Sequence, residues 1–130
     1  MANPNIVSVT SIKGESIGEA LTTTLTTDIM TVAADKLVKI NYIQVANDHA
    51  SNDVAVTVAI VKANFTSDGI GSGEDNAATI FLANAIVLPA LDVLVVIDKP
   101  IYLMEGDVLE GGSDGATADI FISYEVIDDA

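Results

Sequence analysis

Hydrophobic residues recur at every second position along several stretches of the chain. The alternation is clearest in residues 54–61 (VAVTVAIV), 91–98 (LDVLVVID) and 120–127 (IFISYEVI). Because successive side chains of a strand point to opposite faces of its sheet, this period of two predicts β-strands with at least one buried face. A further run starts at Val38 and changes phase after Tyr42, so we expect a β-bulge near Asn41.

Turn-forming residues divide these runs into short segments. The breaks fall at residues 34–36, 47–52, 88–90, 98–100, 105–107 and 111–115. Short strands at this spacing predict an all-β sandwich or barrel. A helical turn within residues 13–20 is the one helical candidate, and Gly14 and Gly18 disfavour it.

The chain of 130 residues has the length of a single domain. We expect a body at residues 20–130, preceded at residues 1–19 by an arm or a first strand. An unpaired apolar strand invites aggregation, so this segment is expected to pair with its own sheet or, by strand addition, with a neighbour. Its apolar residues are the candidate self-association contacts: Ile6, Val7, Val9 and Ile12.

Charge and composition narrow the range of partners and sites. The chain has 19 acidic and 5 basic residues, a net charge of −14. This charge repels phosphate backbones and anionic lipids, so neither nucleic acid nor a membrane surface is an expected partner. The chain has no Cys, which excludes disulfides and thiolate metal sites.

The chain carries no pattern typical of export or membrane insertion. Its first residues lack the basic start and apolar run of a signal peptide. The most apolar window, residues 85–97, is interrupted by Pro89 and Asp92, and it is shorter than the roughly 20 residues that a spanning helix needs. We therefore expect a protein made in a cytoplasm.

His49, the only histidine, is the first candidate for chemistry. It lies beside Ser51 and Asp53. The members of a catalytic triad usually converge from separate segments of the chain, whereas these three residues are crowded into one polar turn. A plain loop histidine is therefore the favoured interpretation.

Glu105 and Asp107 are the second candidate, as the paired carboxylates of a glycosidase. Such an enzyme would line its cleft with aromatic residues, and the chain has no Trp. The sequence Glu105-Gly106-Asp107 is more typical of a tight hairpin turn, in which Gly106 supplies a positive φ. We favour the turn.

Residues 64–76 (NFTSDGIGSGEDN) are the only long stretch rich in Gly, Ser and Asp. We expect an exposed loop that is dispensable for folding. Its glycines faintly resemble a nucleotide-binding loop, but that motif needs a following helix and a phosphate-binding Lys. Asp68, Glu74 and Asp75 offer oxygen ligands for calcium, although their spacing does not match an EF-hand. No cofactor, metal or catalytic residue is expected.

A series of short motifs follows a fixed order from about residue 20 to residue 127. After a Thr-rich strand come TVAADK, VAN, LPA, PIYLMEGDVL and SYE, at residues 31–36, 45–47, 88–90, 100–109 and 123–125. This order resembles that of small β-sandwich structural proteins of tailed bacteriophages, namely capsid decoration (cement) proteins and related tail or fibre modules. The chain departs from the pattern at Ala34, where Pro is common, and at the loop of residues 64–76.

The resemblance implies a jelly-roll-like β-sandwich that serves as a structural virion protein and not as an enzyme. The first expectation is a decoration protein on the outer surface of a phage head, with the major capsid protein and itself, as a homotrimer, as partners. The N-terminal residues Ile6, Val7, Val9 and Ile12 then become candidate capsid contacts as well. A tail, neck or fibre module is the alternative.

A carbohydrate-binding jelly roll is a more distant alternative. Sugar sites usually expose aromatic residues. Tyr42, Tyr102 and Tyr124 all lie within apolar strands of the sequence, which disfavours this function.

Overall fold

The computed structural model describes residues 10–23, 27–63 and 78–128. This part of the chain forms nine β-strands and no helix, and therefore no helix that could cross a membrane. In chain order the strands are β1 (Ser11–Ala20), β2 (Thr27–Thr31), β3 (Lys36–Asn47), β4 (Val54–Lys62), β5 (Ala78–Leu88), β6 (Val93–Ile97), β7 (Ile101–Leu103), β8 (Val108–Ser113) and β9 (Ala118–Asp128).

The strands form two antiparallel sheets that pack face to face. Sheet A has the order β1-β9-β3-β6, with β7 also paired to β3, and sheet B has the order β2-β8-β4-β5. Four pairs are nested along the chain: β1 with β9, β2 with β8, β3 with β6 and β7, and β4 with β5. Successive pairs fall alternately in the two sheets, which is the arrangement of a jelly roll. The expected all-β sandwich is confirmed.

The core lies between the sheets and consists of branched aliphatic side chains. Its fully buried members include Ile40, Ile43, Val45, Val56, Val58, Leu109, Ile120 and Ile122. The alternation of residues 54–61 predicted this arrangement, because Val54, Val56, Val58 and Ile60 all belong to the core. Burial of such side chains is the main stabilising contribution to folding.

Two local predictions have opposite outcomes. The register between β3 and β9 shifts between Ile40 and Tyr42, which confirms the bulge near Asn41. The helical turn within residues 13–20 is wrong: this segment belongs to β1, which pairs with β9 over its full length. A continuous ladder of interstrand hydrogen bonds outweighs a weak local helical tendency. The division of the chain at residue 20 stays a prediction.

The sandwich has two sides at which strands lack a further neighbour within the described residues. On one side, β1 and β2 are the outermost strands of sheets A and B, and on the other side the outermost strands are β6 and β7 in sheet A and β5 in sheet B. We call the first the acidic side (residues 11–20 and 27–31) and the second the apolar side (residues 78–97, which include the turn between β5 and β6). Their chemistry differs, as described next.

Candidate functional site

His49 lies in the loop between β3 and β4, where it binds backbone N–H groups. Its Nδ1 accepts hydrogen bonds from Ser51 N at 3.0 Å and from Asn52 N at 2.9 Å. The Asp53 carboxylate accepts a hydrogen bond at 3.3 Å from the backbone N–H of Ala90, in the turn between β5 and β6. His49 and Asp53 thus fix separate pieces of backbone, instead of forming the relay that a catalytic triad needs.

Asn47 ties the same loop to two others. It is 2% exposed, and its Nδ2 donates hydrogen bonds to Asn52 O at 2.8 Å and to Leu88 O at 3.2 Å. Its Oδ1 accepts from Thr117 Oγ1 at 2.9 Å. Asn47 therefore joins the loops that follow β3, β5 and β8 at one end of the sandwich. This role could not be predicted from the sequence, because two of the partners, Leu88 and Thr117, are distant in the chain.

The acidic turn of residues 104–107 lies at the opposite end of the sandwich. Asp107 N donates to Met104 O at 2.9 Å, and Gly106 has a φ of +85°. The tight turn and the positive φ of Gly106 are therefore confirmed. The expected hairpin is wrong, because β7 belongs to sheet A and β8 to sheet B, so the turn carries the chain between the sheets.

The Asp107 carboxylate is fully occupied by hydrogen bonds. Its Oδ1 accepts from Ala63 N at 2.9 Å, and its Oδ2 accepts from Met104 N at 2.8 Å and from Lys62 Nζ at 2.6 Å. The Asp107 backbone carbonyl accepts from Val32 N at 3.0 Å. We call this cluster of residues 32, 62, 63, 104 and 107 the Asp107 corner. Since the Asp107 side chain is 1% exposed, a substrate cannot reach it.

Neither a paired-carboxylate site nor a metal site is assembled in the described residues. Glu105 lies beside Asp107 in sequence, and its Oε2 is buried with no hydrogen-bond partner. No group of three or more His, Asp or Glu residues within ranges 10–23, 27–63 and 78–128 is placed to hold a metal ion. Three of the described candidates for chemistry, His49, Asp53 and Asp107, instead hold segments of backbone in place through hydrogen bonds.

Several residues of the sequence hypotheses lie outside the described part of the chain. These are Ile6, Val7 and Val9 of the N-terminal segment and Asp68, Glu74 and Asp75 of the loop of residues 64–76. Ile12 is described: it lies on β1 opposite Ile127 and is 54% exposed. Its role in contacts with another chain stays a prediction.

The apolar side carries most of the exposed large hydrophobic side chains of the described residues. Leu91 is 71% exposed and Val87 is 63% exposed. The full set consists of Ile80, Phe81, Ile86, Val87, Leu91, Val93 and Val95. Residues 76–91 are also the longest run of the sequence without Asp, Glu, Lys or Arg. In a chain with a net charge of −14, this surface is the exception.

The acidic side shows the opposite chemistry. Asp28 on β2 faces Glu110 on β8, and burial, a hydrogen bond and the charge of Asp28 together raise the pKa of Glu110 above its usual value. On β1, Glu15 lies opposite Tyr124. Partial burial, followed by the charge of Glu15 and a hydrogen bond to it, raises the pKa of Tyr124. Repulsion between acids makes this side a poor contact for a second copy of the same chain.

The outer face of sheet A carries a shallow depression of about 420 Å³. Gly18 has no side chain to fill it, and Phe121, Gln44 and Asp119 contribute to its lining. Phe121 is 42% exposed and Tyr102 is 49% exposed. Tyr102, which the sequence placed within an apolar strand, is therefore exposed, and so is Phe121, which the sequence argument did not consider.

Comparison with known proteins places the chain by architecture only. No family model matches it, and no curated protein matches it by sequence. Solved structures of similar architecture include a protein of the disulfide-linked pili formed by Bacillus endospore appendages, with a TM-score of 0.44 and 14% identity, covering 92% of this chain and 88% of that one.

Viral coat proteins are also among the similar structures. Infectious bursal disease virus, Gx strain, gives a TM-score of 0.47 and 12% identity, with 93% of this chain and 33% of that chain covered. A pentameric capsid protein from metagenomic phage sequences gives 0.37 and 19% identity, with 95% and 62% covered. These likenesses are too distant to assign a function, since one fold serves many functions.

The apolar side is the functional candidate that the hydrophobic pattern did not identify. On this side the alternation predicted a strand only at residues 91–98, which contain β6, and strands of this kind are usually buried. The signal that could have found the surface is the absence of charge over residues 76–91, because interfaces between copies of a chain are depleted of charged residues.

Proposed function

We propose that this chain is a structural protein of a phage virion that acts through self-association. More specifically, it is a capsid decoration protein: a homotrimer that binds the major capsid protein on the outer surface of the head. Residues Ile6, Val7, Val9 and Ile12 contribute further contacts in this proposal. It has no enzymatic activity.

The apolar side is the observation that carries the proposal. Phe81, Val87 and Leu91 are each more than half exposed. Burying them against another protein would remove apolar surface from water and so favour association. The high negative charge suits an outer surface, remote from packaged nucleic acid. The order of motifs from residue 20 to residue 127, which resembles that of phage decoration proteins, supports the choice of virion.

The state of the polar candidates supports a structural role over catalysis. A general base must be free to reach the proton that it takes from a substrate. Asp107 instead accepts three hydrogen bonds from the protein, and His49 Nδ1 accepts two from backbone N–H groups.

The carbohydrate-binding alternative has one observation in its favour, the depression beside Phe121. An exposed aromatic ring, the Gln44 amide and the Asp119 carboxylate are the groups with which proteins stack on and hydrogen-bond to sugars. The Tyr42 hydroxyl donates a hydrogen bond to Gln44 Oε1 at 2.8 Å, which orients that amide. A single open depression with one ring is a weak site compared with the whole apolar side.

Immunogold electron microscopy of particles from cells that produce the chain tests the proposal. Gold on the outer surface of phage heads is the expected result. Gold confined to necks, tails or fibres would show that the chain is a neck, tail or fibre module and not a decoration protein. Particles without gold, together with binding of the purified protein to an array of glycans, would overturn the proposal in favour of the carbohydrate module.

A further inference from the structure

Strand β5 exposes apolar side chains on both of its faces. Ile80 lies opposite Ile60, and Ile86 lies opposite Val56; since both partners belong to the core, Ile80 and Ile86 are on the inner face of sheet B. Phe81 and Val87 lie opposite Ala59 and Ala55, on the outer face. All four side chains are between 43% and 63% exposed.

The inner face of β5 lies opposite an edge of sheet A that is divided between two short strands. Strand β5 has 11 residues, whereas β6 has 5 and β7, which continues the same edge along β3, has 3. The exposure of Ile80 and Ile86 shows that this edge covers only part of the inner face of β5. Two separate apolar surfaces therefore meet at one side of the sandwich, where an ordinary edge strand would have one.

The backbone of β5 is poorly suited to accept an added strand. Between its pairs Val56–Ile86 and Val58–Ala83, β4 contributes one residue and β5 contributes two, and between Val58–Ala83 and Ala59–Phe81 the register shifts again. Ala85, within the first bulge, has a φ of +51°. Bulges interrupt the ladder of free N–H and C=O groups and protect edge strands from pairing. Contacts at this side must therefore be made by side chains.

Charge identifies the partner as a second copy of this chain. Two molecules that each carry a net charge of −14 repel one another across most of their surfaces. They approach at least cost where neither carries charge, which is the run of residues 76–91. A basic partner would instead be steered to the acidic side, where Asp28 and Glu15 lie.

The available area is sufficient for each copy to contact two neighbours. The seven exposed apolar side chains of this side leave on the order of 600 Å² uncovered. Interfaces of this type are roughly 60% apolar, so about 1,000 Å² of each copy would be buried in total. Shared between two neighbours, this gives about 1,000 Å² for each pair of copies, which is the lower limit for a specific interface.

We infer that the apolar side faces the symmetry axis of a closed ring of identical chains, in which the outer face of β5 in one copy packs against the inner face of β5 in the next. A ring requires two different surfaces on each copy, whereas a twofold dimer requires one self-complementary surface. The two faces of β5 supply the two surfaces. The inference rests on the self-association in the proposed function and specifies its geometry.

Two charged substitutions, one on each face, test this geometry. Val87→Glu blocks the outer face and Ile80→Glu blocks the inner face. Phe121→Glu is the matched control, because it places the same charge on a side chain that is 42% exposed on sheet A. Sedimentation velocity at micromolar concentration gives the mass, and thermal melting followed by circular dichroism reports folding.

In the expected result, the wild-type chain and Phe121→Glu sediment as the ring, and each β5 variant sediments as a folded monomer of 13.5 kDa. An equimolar mixture of the two β5 variants then forms a complex of two chains, because each variant retains the surface that the other lacks. If either Glu variant fails to melt cooperatively, Val87→Ser and Ile80→Ser replace them.

Three results would overturn the inference: a monomeric wild-type chain, a ring that persists in both β5 variants, or two monomeric variants that do not combine. The experiment uses purified protein without particles, so its outcome is independent of the immunogold result. Labelled heads together with unaffected β5 variants would refute the ring geometry and leave the virion role standing.

Discussion

In the Asp107 corner and the apolar side, the solvent exposure that the sequence suggests is the reverse of the exposure in the structure. The turn of residues 104–107, which supplies Asp107 to the corner, has an acidic, glycine-containing sequence of the kind found in exposed turns and catalytic loops, yet Asp107 is 0% exposed. The apolar side has a sequence rich in aliphatic residues, typical of a buried strand, yet Leu91 is 71% exposed and Val87 is 63% exposed.

The difference shows that burial depends on partners that are distant in the chain. Asp107 is buried because Lys62, 45 residues earlier, supplies a positive charge at 2.6 Å and the adjacent Ala63 N–H supplies a further hydrogen bond. Strand β5 is exposed because it is the outermost strand of sheet B and because the opposing edge of sheet A consists of the short strands β6 and β7. A charged group can thus form part of the interior, and an apolar strand can form an interaction surface.

A matched pair of Ile→Ala substitutions gives the largest expected effect. Ile122 is 0% exposed in the core, whereas Ile80 is 50% exposed. In the monomeric Val87→Glu background, Ile122→Ala should lower the free energy of unfolding by about 4 kcal/mol, and Ile80→Ala by about 1 kcal/mol, because only the first leaves a cavity. Urea unfolding measures both. Equal losses would mean that the apolar side is packed within a single chain.

Asp107→Asn should produce the next largest loss, at about 3 kcal/mol. The amide retains one acceptor oxygen but removes the charge that pairs with Lys62 and places N–H groups among the donors of the corner. The expected observable is a lower urea midpoint, with the mass of the assembled protein unchanged at low urea. Asp98→Asn, which makes the same charge change at an exposed residue, is the control and should unfold like the wild type.

A loss of assembly without a loss of stability in Asp107→Asn would reverse the comparison. The Asp107 corner would then contribute to contacts between copies, and the interpretation that its hydrogen bonds stabilise the single chain would be wrong.

Local pattern predicted most of the fold. The period of two located β4, β6 and β9, and the phase change after Tyr42 located the bulge in β3. Gly106 at the acidic turn adopts the positive φ that its position requires. These features depend on neighbours in sequence or on the alternation of side chains, both of which a single sequence contains.

Features that depend on distant strands were not predictable in this way. In residues 93–96 both alternating sets are apolar, so the pattern cannot tell that Leu94 and Val96 pack against the core while Val93 and Val95 are 47% exposed. Sheet membership, which makes the acidic turn a crossing and not a hairpin, is likewise set by long-range pairing.

Glu110 provides the smallest expected effect and contrasts an acid without a basic partner with the paired Asp107. Burial and the neighbouring Asp28 raise its pKa above the usual value of 4.5, so the folded chain holds the proton more tightly than the unfolded chain does. The contribution of Glu110 to stability is therefore fully present below its unfolded-state pKa and is lost as the pH rises through the raised pKa. Glu110→Gln removes this loss of stability. We expect the free energy of unfolding to rise by about 0.5 kcal/mol at pH 7, typical of relieving a like-charge cross-strand pair, and not to change at pH 4.

Urea midpoints at the two pH values measure the difference. The control is Glu19→Gln, which also removes one negative charge, at an exposed residue of β1. The same gain in both variants would mean that the effect comes from the net charge of the chain and not from the neighbouring Asp28. The lack of a basic partner at Glu110 would then have no effect on stability.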